Sequence, residues 1–227
     1  MILKLLRFES EIHLGPGVVA TLQIEDRSLF ARVVSSLLSE QAEEALEPYA
    51  LWGDDGKKLS PRGAFLVLNA LPTIPLSDKK LLSRLYAHIA SAISDDDAVE
   101  VRVAAAMTGL ESTITERNVE LWGTYDFLTS LNVPQLLKAF GFQPYVEEGQ
   151  PLAEQLVSFF GLCADIGLSQ PLVLVNGKSF FAENALTVLA EQSFFYGIPL
   201  LLLESWDDAT QYEWERKTTI DQWFLEN

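Results

Sequence analysis

The sequence predicts an α/β fold: a parallel sheet covered by helices, interrupted by a mainly helical arm. Three observations predict it. Leu172–Val175 and Ile198–Leu203 are unbroken apolar runs, as in strands buried on both faces. The helical pattern between them makes a unit of about thirty residues, the size of a right-handed strand–helix–strand crossover. From Asp78 onward the apolar residues change to helical spacing.

The elements follow in chain order. Val18–Ile24 is an apolar strand closed by Glu25 and Asp26. Asp26 is placed to cap a helix whose expected inward face holds Phe30, Val33, Val34, Leu37 and Leu38. Glu47 to Gly63, rich in Gly and Asp, reads as a loop, and it carries Lys57, Lys58 and Arg62. Phe65–Leu71 is a further apolar run, closed by Pro72 and Pro75.

In the arm, Leu82, Leu85, Tyr86, Ile89 and Ile93 share one helix face. After the acidic turn Asp95–Asp97, Val103, Met107, Leu110 and Ile114 recur at alternating steps of four and three. That spacing is a coiled-coil-like seam. Two such helices joined by a short turn read as an antiparallel pair projecting from the body. Val133–Phe140 is a short helix stopped by Gly141, and Tyr145-Val146 reads as a strand. Leu152, Leu156, Phe159, Phe160, Cys163 and Ile166 form one helix face; Leu186, Leu189, Ala190 and Phe194 form another. The expected domains are therefore an α/β head, 1–76 with 148–227, and an arm, 77–147.

Composition narrows the chemistry. The chain has 227 residues, 48% hydrophobic, with one cysteine, Cys163, and two histidines, His13 and His88. A Cys/His zinc site is not expected, and any metal should be a hard cation on oxygen ligands. A single cysteine suits a reducing cytoplasm. No apolar run approaches membrane-spanning length, and no secretory signal is read at the start. The net charge of −16 argues against a simple basic nucleic-acid binder.

Leu172-Val-Leu-Val-Asn-Gly-Lys-Ser179 looks like a nucleotide-binding loop, since a strand runs into Gly-Lys-Ser. A phosphate loop needs a glycine five residues before the Gly-Lys pair, so that a wide turn of N–H groups surrounds the phosphates. Leu172 stands there, inside the strand. Asn176-Gly177 reads instead as a tight strand-end turn. Glu204, after the Leu200–Leu203 run, and Glu25-Asp26 occupy strand ends, where ligands of open α/β sheets collect. Helix capping and solvation are the alternative roles of these acids.

Over nearly its whole length the chain resembles the Csn-two family, ring-forming DNA-end binders of type II-A CRISPR spacer acquisition. The resemblance rests on the collinear segments LQIEDRSLFARVVSSLL, PQLLKAFGF and PLVLVNGKSFFAENALTVLAEQSFFYGIPLLLLES. QYEWERKTTIDQWFLEN looks like the family's acidic, aromatic tail. The resemblance implies a head like a phosphate-loop ATPase that lacks the loop, with no hydrolysis and no bound nucleotide. It implies a homotetrameric ring around linear double-stranded DNA, bound calcium, and work alongside the CRISPR integrase and the RNA-guided effector nuclease. Lys57, Lys58 and Arg62 match the family's Lys-rich segment and would face DNA. The family's acidic segment matches Glu120-Leu121-Trp122-Gly123-Thr124-Tyr125-Asp126, of which Glu120 and Asp126 would be the calcium ligands. Two alternatives stay open on the residues alone: a degenerate nucleotide-binding protein using Lys178 and Glu204, or a protein–protein adaptor without DNA binding.

Overall fold

The computed structural model describes residues 1–71, 73–123, 125–127, 129–206 and 208–226. In chain order it contains β1 (Ile2–Leu5), β2 (Ile12–His13), β3 (Val19–Ile24), α1 (Arg27–Ser39), β4 (Tyr49–Trp52) and β5 (Leu66–Leu68). Then come α2 (Lys79–Ser94), α3 (Asp97–Arg117), α4 (Val133–Ala139), α5 (Leu152–Asp165), β6 (Leu172–Val175), α6 (Glu183–Tyr196), β7 (Leu200–Glu204) and β8 (Glu215–Ile220). Pro72 and Thr124, both named in the sequence reading, lie outside the described residues. The fold is α/β, as expected. The chain divides into two compact units: Met1–Pro75 with Val146–Asn227, and Leu76–Tyr145. Among the described residues no helix is long and apolar enough to cross a membrane.

In the first unit, strands β5-β6-β7-β3-β8 form a sheet whose neighbours all pair in parallel. Alternate side chains point to opposite faces. Ala20, Leu22, Ile24, Leu201, Leu203 and Ile220 share one core with Leu29, Val33 and Leu37 of α1. Leu172, Leu174, Leu200 and Leu202 point the other way and are equally buried. The chain steps from β5 to β6 to β7 in one direction, so right-handed crossovers put α5 and α6 on that second face. There these two helices bury Leu156, Phe159, Phe160, Leu186 and Leu189. Burial on both faces explains the unbroken apolar runs of β6 and β7.

Several expectations are corrected. The segment 47–63 is not all loop. It contains β4, which pairs antiparallel with β1, and β1 pairs with β2, giving a second small sheet. The inward face of α1 is Leu29, Val33, Ser36 and Leu37, while Leu38 is 46% exposed. The helix is rotated because Ser36 Oγ turns inward to accept the Glu47 amide at 2.8 Å. Tyr145 and Val146 form no strand, and the Tyr145 side chain lies in solvent. The closing segment is not simply a tail: β8 pairs along β3 from Val19↔Glu215 to Ile24↔Ile220.

In the second unit, Asp78 and Asp96 cap α2 and α3 with their side chains, each accepting two backbone N–H groups. Leu81, Leu85 and Tyr86 of α2 are buried, and the Tyr86 hydroxyl donates to the Phe142 carbonyl at 2.8 Å. The seam on α3 is not closed within the chain. That helix has no buried residue among those described, and Leu110 and Ile114 are exposed.

Candidate functional site

The turn after β6 decides the fate of the Gly-Lys-Ser motif. Asn176 is left-handed, with φ 53° and ψ 37°, and Gly177–Ser179 form a short 3-10 turn. Asn176 tolerates this conformation better than other non-glycine residues. Gly177 is needed for space, not for its φ. A Cβ there would meet Leu174 Cβ at 3.2 Å and Glu204 Oε1 at 3.7 Å.

This close approach lets the Lys178 backbone N–H donate to Glu204 Oε1 at 3.0 Å. In a phosphate loop such an amide would face phosphate; here it faces a carboxylate of the same chain. The Lys178 side chain is 3% exposed and its ammonium is also taken. It lies 3.0 Å from Glu215 Oε2 and 3.2 Å from Asp208 Oδ2. The Tyr212 ring covers it, with the ammonium 5.0 Å from the ring centre.

The acids are held in turn by neighbouring donors. Glu215 Oε2 accepts from the Thr21 hydroxyl at 2.6 Å, and its Oε1 accepts from the Tyr212 amide at 3.0 Å. The Asp208 amide donates to Gln23 Oε1 at 3.2 Å. Lys217 donates to the carbonyls of Asp208 and Thr210. Register explains the meeting. Thr21 and Gln23 share one sheet face with Glu204 of β7 and with Glu215 and Lys217 of β8. Segment 208–214 crosses that face between β7 and β8, and Trp214 donates to Thr187 of α6 at 3.3 Å.

Electrostatics separates the two central acids. Burial pushes the Glu204 carboxyl up to about 7, against the opposing pull of the Lys178 amide and charge and the Trp206 side chain. Its Oε2 has no hydrogen bond of ordinary geometry among the described residues. Burial also acts upward on Asp208, but hydrogen bonds from Thr210 and Lys178 outweigh it and hold that carboxyl below its usual range.

Lys57, Lys58 and Arg62 lie together on the exposed loop between β4 and β5. Lys57 pairs with Asp55 at 2.8 Å and Lys58 pairs with Glu43, all four side chains being exposed. Such surface pairs are worth at most about 1 kcal/mol, so both cations are available to a stronger partner. Arg62 lines a shallow cavity of about 470 Å³ with Ser60, Gln170 and Pro171.

Glu120 and Asp126 are each engaged locally. Glu120 pairs with Arg117 at 2.8 Å, and Asp126 accepts the Phe127 amide at 2.8 Å. Among the described residues no group of three His, Cys, Asp or Glu side chains is arranged to hold a metal. Calcium takes six to eight oxygens, so these two carboxylates would need carbonyls, water or a neighbouring subunit to complete a site. The sequence reading missed Asp208, Glu215 and Thr21. The signal for Glu215 was an acid opening a Thr-rich β-branched run, and for Thr21 a hydroxyl inside an apolar strand.

The chain is similar in fold to Stu0660 of Streptococcus thermophilus, with a TM-score of 0.57 and 12% identity over 97% of this chain and 74% of that one. At that identity the likeness concerns the fold alone. No family model and no curated protein matches the chain.

Proposed function

We propose that this protein binds the ends of linear double-stranded DNA without reading bases, as a homotetrameric ring in the cytoplasm, during CRISPR spacer acquisition. In this reading it hydrolyses nothing and hands DNA to the CRISPR integrase and the RNA-guided effector nuclease. The observation that carries the reading is the likeness of fold to Stu0660, a CRISPR-associated Csn-two protein, across 97% of the chain. The segments quoted in the sequence analysis resemble the same family.

The site geometry supports the non-enzymatic part. The amide and the ammonium that a phosphate loop would turn to a nucleotide are both engaged by carboxylates of this chain. The surface supports the DNA-binding part, because Lys57, Lys58 and Arg62 stand exposed on one loop and phosphate contacts need no base-specific geometry.

The deciding test is a gel shift with linear duplex and with relaxed closed circles of the same sequence. Binding to the linear form alone is the expected outcome. Equal binding to circles removes the ring, and binding to neither removes DNA as the ligand.

A further inference from the structure

The polar cluster beneath Asp208–Trp214 has a charge balance that depends on one proton. One ammonium group, Lys178, meets two carboxylates, Asp208 and Glu215, and a second, Lys217, binds the Asp208 and Thr210 carbonyls beside them. Glu204 is a third carboxyl, 0% exposed, with one oxygen unpartnered by an ordinary hydrogen bond among the described residues. Neutral, it leaves the cluster balanced; ionised, it adds a buried third negative charge that must share Lys178 with Asp208 and Glu215. Unpaired buried charge is among the most costly features a fold can hold.

We propose that Asp208–Trp214 is a proton-controlled strap: it lies closed over the carboxyl ends of β3 and β7 while Glu204 carries its proton, and lifts when Glu204 ionises. The contacts that seat the strap meet the same cluster. They are Asp208 on Lys178 and Gln23, the Tyr212 ring over Lys178, and the Tyr212 amide on Glu215. The groups that act on Glu204 are Lys178 after β6, the Trp206 side chain and Asp208 of the strap. Glu215 of β8 and Tyr212 of the strap surround the same Lys178, Lys217 of β8 holds the Asp208 carbonyl, and Glu183 of α6 acts on Tyr212. The Asp208 charge raises the cost of ionising Glu204, so the strap's own acid opposes the second charge. Lifting admits water to Glu204 and exposes the Lys178 ammonium at the carboxyl end of β6, where α/β sheets take their ligands. The proposal is independent of DNA binding.

The sign follows from proton linkage. The closed form holds the Glu204 proton up to about pH 7, whereas an exposed glutamate gives it up near 4.5. Opening therefore releases a proton between these values. The opening equilibrium rises by up to about tenfold per pH unit in that window and levels off above it. Asp208 contributes nothing there, because its own titration is displaced to lower pH.

The test is hydrogen exchange read by mass spectrometry on the full-length protein from pH 5 to 8, with protection factors corrected for the intrinsic pH dependence. Protection of peptides covering 208–214 is expected to fall between pH 5 and 7 and then stay flat, while α5 and β6 peptides do not change. Glu204→Gln, which keeps the shape without the titration, is expected to hold the strap closed at every pH. A wild-type strap with constant protection over this range overturns the proposal without any variant, and so does a Glu204→Gln protein that keeps the wild-type profile.

Discussion

The Lys178 ammonium lies 3.0 Å from Glu215 Oε2, and neither side chain is more than 3% exposed. The pair joins the turn after β6 to the first residue of β8 across β7 and β3. The second acid on Lys178, Asp208, is 17% exposed. Removing the cation leaves Glu215 buried without its counter-charge. Lys178→Met is expected to cost about 3–5 kcal/mol of unfolding free energy, the range for breaking a buried pair from one side. The urea midpoint at neutral pH measures it, and a loss under about 1 kcal/mol would mean that water reaches Glu215.

Thr21→Val removes the shortest hydrogen bond to Glu215 while keeping the side-chain volume. A buried acceptor losing its donor costs about 1–3 kcal/mol. Combined with Lys178→Met the effects are expected to be less than additive, because both act on one carboxylate.

No magnesium-dependent ATP turnover is expected. Lys178 offers its amide to Glu204 and its ammonium to two acids, leaving neither for a phosphate. Turnover that disappears in Lys178→Ala would contradict this.

The strands that the sequence made legible are those buried on both faces, β3, β6 and β7, whose apolar runs need no partner information to be recognised. β8 escaped because Glu-Arg-Lys-Thr-Thr-Ile carries its polarity inward: Glu215 and Lys217 satisfy one another's neighbours in the cluster. β1 and β4 escaped because their short alternations sit beside charged, Gly-rich sequence that reads as loop. Half of the cluster was visible as residues at strand ends, Lys178 and Glu204. The other half was not, because its meaning depends on a register between strands that no local pattern encodes.

DNA affinity is expected to fall with salt at a slope of about −5. A tetramer would carry 4 × −16 = −64 charges, but exposed charges are screened beyond about 8 Å at physiological salt. The local loops then govern, with 4 × 3 = 12 cations from Lys57, Lys58 and Arg62. If about half of them meet phosphates, each contributes roughly −0.9 to log K against log salt. The triple alanine variant should lose most of that slope while still assembling. An unchanged slope would move the DNA surface elsewhere.

Global stability should track the Glu204 proton as well. Its carboxyl is raised from 4.5 to about 7 in the folded protein. The native state thus binds more protons than the unfolded chain between those values, and stability falls as pH rises through the window, then levels off. Urea midpoints at pH 5 and pH 7.5 are expected to differ in that direction, and Glu204→Gln should narrow the difference.

The pairing of β3 with β8 also governs when the protein can fold during its synthesis. Thr21 and Glu215, joined by one hydrogen bond, are 194 positions apart. At about 5–20 residues per second, roughly ten to forty seconds separate their exit from the ribosome. Both neighbours of β3, β7 and β8, emerge near the end of that interval. The helices of Leu76–Tyr145 meet partners close in sequence and are free to form long before. The nascent chain therefore carries folded helices while the apolar strand Val19–Ile24 waits unpaired. That places its greatest exposure to aggregation, and to chaperones, in translation rather than afterwards.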